Sequence, residues 1–178
     1  LDDELFNQNI YDSPLRWINI PNSFGAMKER HNTYQRECEA DYIIKRIVEL
    51  KNSEKGKKYT YGVITFYRGQ ANLLKEKMHK IYPEYEHDGI RIGSVDAFQG
   101  MEFDVIFLSV VRSGMNSFGF LTSVNRLCVA LSRQKKLLVV VGDADMFRSE
   151  KAEKEIPSIK HLLERCDMEG WTENYASD

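Results

Sequence analysis

The chain has 178 residues, 42% of them hydrophobic and 29% charged, the balance of a globular domain with one substantial core rather than of a disordered chain. Its formal net charge is −2, so no global basic field is present, and any nucleic-acid binding must come from a local cleft. No apolar run approaches membrane-spanning length, and the opening Leu1-Asp-Asp-Glu-Leu-Phe6 is acidic where a signal peptide is basic.

Residues 1–15 are polar and read as a lead-in segment; with Leu rather than Met at the start, a piece of a longer protein is expected. Arg16-Trp-Ile-Asn-Ile20 is a short β-prone run stopped by Pro21. Residues 22–35 read as loop. A helix is predicted from Arg36 to Leu50, because Ala40, Ile43, Ile44, Ile47 and Val48 recur at helical spacing. The charged turn over residues 51–58 contains Gly56-Lys57 but lacks the earlier glycine and the following Ser or Thr of a phosphate loop. Tyr61–Phe66 reads as a strand, followed by a helix with the core stripe Ala71, Leu74, Met78 and Ile81. Ile90–Val95 and Asp104–Val111 are further strands, the second almost unbroken in its apolar character and so buried on both faces. Between them lies the polar turn Asp96-Ala-Phe-Gln-Gly-Met-Glu102, whose glycine allows a phosphate or a neighbouring domain to come close.

A glycine-bearing loop spans residues 113–119, where Gly114 and Gly119 again have phosphate-loop spacing but Phe120 replaces the lysine. A helix is predicted from Ser123 to Gln134, apolar on two sides and hence largely buried, with Arg133 at its C-terminal end. Lys136–Val141 is a last strand. An amphipathic helix carrying Ile159, Leu162, Leu163 and Cys166 follows, then a polar tail, 169–178, expected to fray. Strands alternating with helices predict a mainly parallel sheet with helices on both faces, and ligands outside the carboxyl ends of its strands. On that rule Thr65–Gln70, Asp96–Glu102, Arg112–Gly119 and Gly142–Asp145 are expected to share one edge. Cys38, Cys128 and Cys166 form no Cys-x-x-Cys, and the four histidines have no ligand spacing. No metal site is expected, and an intracellular reducing compartment, cytoplasmic or nuclear, is.

Three runs occur in a telling order: Val63-Ile-Thr-Phe-Tyr-x-x-Gln70, Ser94-Val-Asp-Ala-Phe-Gln-Gly-x-Glu102, and Gly119-Phe-Leu followed by Asn125-Arg-Leu-x-Val-Ala-Leu-Ser-Arg133. From about Trp17 to Leu163 the chain resembles the second RecA-like domain of superfamily 1 helicases of the nonsense-mediated-decay type. The resemblance implies an α/β, RecA-like P-loop NTPase-type fold over residues 16–168, lacking the phosphate loop itself. It also implies a role as the C-terminal motor domain of an ATP-dependent DNA or RNA helicase. In that family ATP lies between two RecA-like domains and a single strand crosses both. By position, Arg133 then resembles the catalytic arginine that reaches the γ-phosphate, with Gly100 and Glu102 beside the nucleotide. Thr65, Ser94 and Arg112 stand where the family meets the nucleic-acid backbone. Gln70, Asp96, Gln99 and Asn125 are assigned to coupling between the two ligands. Phe66 departs from a usual proline, Cys128 from a usual asparagine, and Gln134-Lys135 from a common Ala-Arg.

No Gly-x-x-x-x-Gly-Lys-Ser/Thr is present, so ATP and Mg2+ are expected to be held mainly by the first RecA-like domain, and the isolated chain to be inactive. The expected partners are single-stranded DNA or RNA and that first domain, without a membrane. Two other readings stay open: a non-catalytic helicase-like binding module, and a metal-dependent phosphotransferase using Asp143 and Asp145.

Overall fold

The computed structural model describes residues 13–176. The lead-in segment therefore lies almost wholly outside the described residues. Six strands form one sheet: β1 (Leu15–Asn19), β4 (Tyr61–Thr65), β5 (Ile90–Ser94), β6 (Phe103–Ser109), β7 (Gln134–Gly142) and β8 (Thr172–Asn174). Their order is β5-β4-β6-β7-β1-β8, and every adjacent pair is parallel. The helices are α1 (Glu37–Asn52), α2 (Arg68–Ile81), α3 (Val124–Ala130), α4 (Ala144–Phe147), α5 (Glu150–Glu155) and α6 (Pro157–Glu169).

Period-two alternation divides the core into two layers. Val105 and Phe107 of β6, with Leu137, Val139 and Val141 of β7, pack with Ile43, Ile44 and Ile47 of α1 and Leu74 and Met78 of α2. Ile106 and Leu108, with Leu138 and Val140, face the other way, against Leu127 of α3, Phe147 of α4 and Ile159 and Leu163 of α6. The central strands are buried on both faces by helices, which is why they read as continuous apolar runs.

Several expectations need correction. Residues 22–35 are not all loop: β2 (Lys28–Arg30) and β3 (Thr33–Gln35) form an antiparallel hairpin. Its tip, His31 and Asn32, has φ of 50° and 59°, the left-handed pair of a tight two-residue turn. Both strands are short and β2 is wholly exposed, so no apolar alternation announces them. The hairpin is fixed to the first turn of α2, where the Gly69 amide donates to Thr33 Oγ1 (3.1 Å) and Gln35 Nε2 to the Gly69 carbonyl (2.9 Å). A β-carbon on Gly69 would stand 2.4 Å from Thr33 Cγ2, so the contact requires glycine.

Ile81 is not core; it is 63% exposed at the end of α2. The helix expected over 123–134 ends at Ala130 and is not buried on two sides, since Val124 is 72% exposed. Ser132 Oγ donates back to the Cys128 carbonyl (2.7 Å), closing the helix, and the chain then extends to pair with β6. The tail does not simply fray after Gly170. Gly170 caps α6 in a left-handed conformation, and β8 adds beside β1.

Candidate functional site: two edges of one sheet

The groups expected to share one edge lie on two. Val95–Phe98 is a short 3-10 turn at the carboxyl end of β5, and the chain then runs to the amino end of β6. Gly100 and Glu102 therefore sit at the amino edge of the sheet. Arg133 sits there too: Phe103 pairs with Gln134, and the Phe103 amide donates to the Arg133 carbonyl (3.0 Å). Glu102 and Arg133 thus immediately precede paired residues on adjacent strands. Gly100 has φ of 77° and open space where a β-carbon would stand. Arg133 is half-buried, and its Nη2 donates to Ser132 Oγ (2.9 Å), while its buried Nε has no hydrogen-bond partner. It forms no ion pair among the described residues. A guanidinium held only by a neighbouring hydroxyl is available to an incoming anion.

The carboxyl edge lies a strand length away, roughly 20 Å for the seven residues of β6. Here Ser94 is partly exposed and lines a trough of about 800 Å3. Thr65 and Arg112 do not present themselves as expected. Thr65 is fully buried, and its hydroxyl accepts from the Tyr67 amide (3.4 Å). Arg112 is also buried, with its guanidinium over the rings of Tyr34 (4.7 Å) and Tyr67 (5.5 Å) and its Nε donating to the Tyr67 hydroxyl (2.6 Å). Burial pushes the Tyr67 phenol upward, with Arg112 opposing it through a hydrogen bond and its charge. In this arrangement neither residue offers a phosphate-facing group.

Of the four coupling residues, three come together. Asp96, Gln99 and Asn125 line a small cavity of about 110 Å3 between the 3-10 turn and α3, where Arg126 Nη2 contacts Asp96 Oδ2 at 3.0 Å. Gln70 lies elsewhere, fully buried behind the carboxyl edge. Its Nε2 donates to the Arg36 carbonyl and to Ser109 Oγ (both 3.0 Å), and its Oε1 accepts from the Arg36 amide (2.8 Å).

Gln70 belongs to a network that sequence reading missed. Glu39 Oε1 accepts from Arg36 Nη1 (3.0 Å), and its Oε2 from Ser109 Oγ (2.6 Å) and the Val111 amide (3.0 Å). Burial pushes the Glu39 carboxyl above its ordinary range, while the Arg36 charge and these hydrogen bonds pull it back. Arg36 also donates to the carbonyls of Ile20, Pro21 and Gly25, so one buried guanidinium ties β1's exit to α1. The network holds a strained turn. Val111 has φ of 65°, unusual for a β-branched residue, and the Arg112 amide closes on the Val110 carbonyl (2.7 Å). Strain of this kind costs about 1–3 kcal/mol and persists where the surroundings over-determine it. One signal was legible beforehand: Glu39 stands four residues before Ile43, on the apolar stripe of α1.

Asp143 is buried and accepts from Ser113 Oγ (2.7 Å), and Asp145 pairs with Arg148 (2.9 Å). Among the described residues no group of three or more His, Cys, Asp or Glu is placed to hold a metal.

A six-stranded parallel sheet covered by helices on both faces defines a RecA-like α/β domain. The chain belongs to the AAA domain family, whose model matches residues 2–145. Its relatives include superfamily 1 helicases. It is 35% identical over 122 residues to Helicase sen1 of Schizosaccharomyces pombe, a match that covers 67% of this chain and 7% of that protein. It is 30% identical over 154 residues to an uncharacterized ATP-dependent helicase of Methanocaldococcus jannaschii, covering 86% of this chain and 21% of the relative. Over 85 residues it is 44% identical to the Regulator of nonsense transcripts 1 homolog of Neurospora crassa, covering 46% and 8%. In three dimensions it resembles the C-terminal domain of a possible DNA helicase from Lactobacillus plantarum WCFS1. The TM-score is 0.50 at 13% identity, over 76% of this chain and 78% of that one. The chain thus spans a small part of the length of its curated relatives.

Proposed function

We propose that the chain is the second RecA-like motor domain of an ATP-dependent superfamily 1 helicase or translocase, running from residue 16 through β8. The observation that carries this is the placement of Glu102 and Arg133 on adjacent strand ends at the amino edge while the trough opens at the carboxyl edge. In this reading a nucleotide held by a first RecA-like domain meets the amino edge. Arg133 stabilises charge on the γ-phosphate as it transfers, the service an arginine finger performs at about 10³–10⁵ in rate. Gly100 leaves room for close approach, and Glu102 faces the nucleotide. The first domain would hold Mg2+ and most of the triphosphate, the metal supplying charge neutralisation at the phosphates. Asp96, Gln99 and Asn125, on the segment joining the two edges and the helix beside it, relay nucleotide state to the strand.

A single strand of DNA or RNA lies across the carboxyl edge, touching Ser94. Arg112 and Thr65 act from behind that surface. The isolated chain turns over no ATP above background, since half of the nucleotide site is supplied from outside it. Steady turnover by the purified 178 residues, abolished by Arg133→Ala, would overturn this division of labour.

A further inference from the structure

The trough at the carboxyl edge has walls that the roles above leave unassigned. The hairpin tip contributes Arg30 and His31, the start of α2 contributes Arg68, and Phe120, Arg126 and Asp96 also line it. Phe120 is 56% exposed. A lone exposed aromatic is ordinary, but this one is braced. Its ring lies 5.6 Å from that of Tyr67, tilted by 37°. Tyr67 in turn meets Tyr34 edge-on at 5.5 Å, and Arg112 lies against both tyrosines while bonding the Tyr67 hydroxyl. Behind the exposed ring is therefore a buried, hydrogen-bonded aromatic support. Beside it Arg126 lies 6.0 Å from the Phe120 centroid, and Arg30 and Arg68 are exposed and form no ion pair among the described residues. A braced aromatic face beside Arg126, which also pairs with Asp96, in a trough that Arg30 and Arg68 line without ion pairs among the described residues, suits a single strand, whose bases stack and whose phosphates need cations.

We infer that Phe120 stacks a base of the strand lying in this trough, with Arg30 and Arg68 neutralising its phosphates. Arg112 is a positioning residue that holds Tyr67 behind Phe120. The inference rests on the nucleic-acid reading above and adds to it a base contact at a named side chain.

The test measures binding by the whole protein to labelled thymidine DNA and uridine RNA strands, each against an abasic strand of equal length. Wild type binds the base-bearing strands more tightly. Phe120→Ala loses roughly tenfold on those strands and nothing on the abasic ones, and its salt dependence is unchanged because no charge is removed. Phe120→Trp retains the preference. Arg68→Ala weakens all strands alike and lowers the salt slope by about one. A preference for bases that survives intact in a well-folded Phe120→Ala protein overturns the stacking assignment while leaving strand binding in place. Failure of wild type to bind any strand removes the nucleic-acid reading and this inference together.

Discussion

The two edges of the sheet are built to opposite standards. Behind the carboxyl edge the buried polar groups are committed: Gln70, Ser109, Glu39 and Arg36 bond one another, and Arg112 is clasped by two tyrosines. At the amino edge Arg133 has one side-chain bond, to its neighbour Ser132, and Gly100 faces open space. The difference suits an edge that must keep its shape by itself and another that waits for a partner. A buried polar network is stable only when fully satisfied, so the first edge is pre-shaped. In the proposed function, Arg133 is left free for charge that develops in the transition state.

The largest effect should come from the sparse edge. In the whole protein, Arg133→Ala should lower ATP turnover by about 10³–10⁵, and Arg133→Lys should recover little, since an ammonium does not reproduce the planar fork. A coupled ATPase assay reads the loss. A urea melt on the same samples should show a change within about 0.5 kcal/mol, because Arg133 makes little use of its side chain in the fold. Normal turnover in folded Arg133→Ala would remove the catalytic assignment.

The committed edge should respond in stability instead. Glu39→Ala leaves Arg36 buried without its carboxylate and frees the Val111 amide, so a loss of about 3–5 kcal/mol is expected. Glu39→Gln keeps the shape and part of the hydrogen bonding and should lose less. Equal melts for wild type and Glu39→Ala would show that the network does not hold the edge.

Gly69→Ala should destabilise by about 1–3 kcal/mol, because the added methyl enters the hairpin's contact with α2. Proteolysis within residues 28–35 should accelerate in the same variant; an unchanged digestion pattern would show that the hairpin tolerates the clash.

The smallest effect concerns β8. Asp167 accepts from Arg148 through both oxygens (3.1 Å each) and from Thr172 Oγ1 (2.6 Å). Burial pushes its carboxyl upward, but these hydrogen bonds and the Arg148 charge outweigh it, and the group lies below its ordinary value. A depressed carboxylate stabilises the fold above its unfolded pKa, and that contribution is lost as pH falls through the folded one. Asp167→Asn should therefore cost under about 1 kcal/mol at neutral pH, given its exposure. The difference from wild type should vanish in acid, and a difference constant across an acid titration of melts would contradict the linkage.

Much of this domain was legible in the chain. Apolar runs at 63–64, 105–108 and 137–141 announce strands covered on both faces, and the spacing of Ile43, Ile44 and Ile47 gives α1, because burial of whole side chains sets those patterns locally. The ordered runs around Gln70, Glu102 and Arg133 carried the family. What tertiary structure alone decided was where their groups point and what they meet. Arg133 lies beyond the end of α3, where its carbonyl accepts from the Phe103 amide as the chain joins β6. Arg112 turns inward against Tyr34 of the hairpin and Tyr67, and Thr65 is buried with its hydroxyl accepting from the Tyr67 amide. The hairpin is held against α2 and β8 against β1 and α6, and their short polar strands carry no period of their own. Periodicity records the face a residue turns to the core; it does not record the partner that meets a polar group across tens of residues, which only the folded chain brings together.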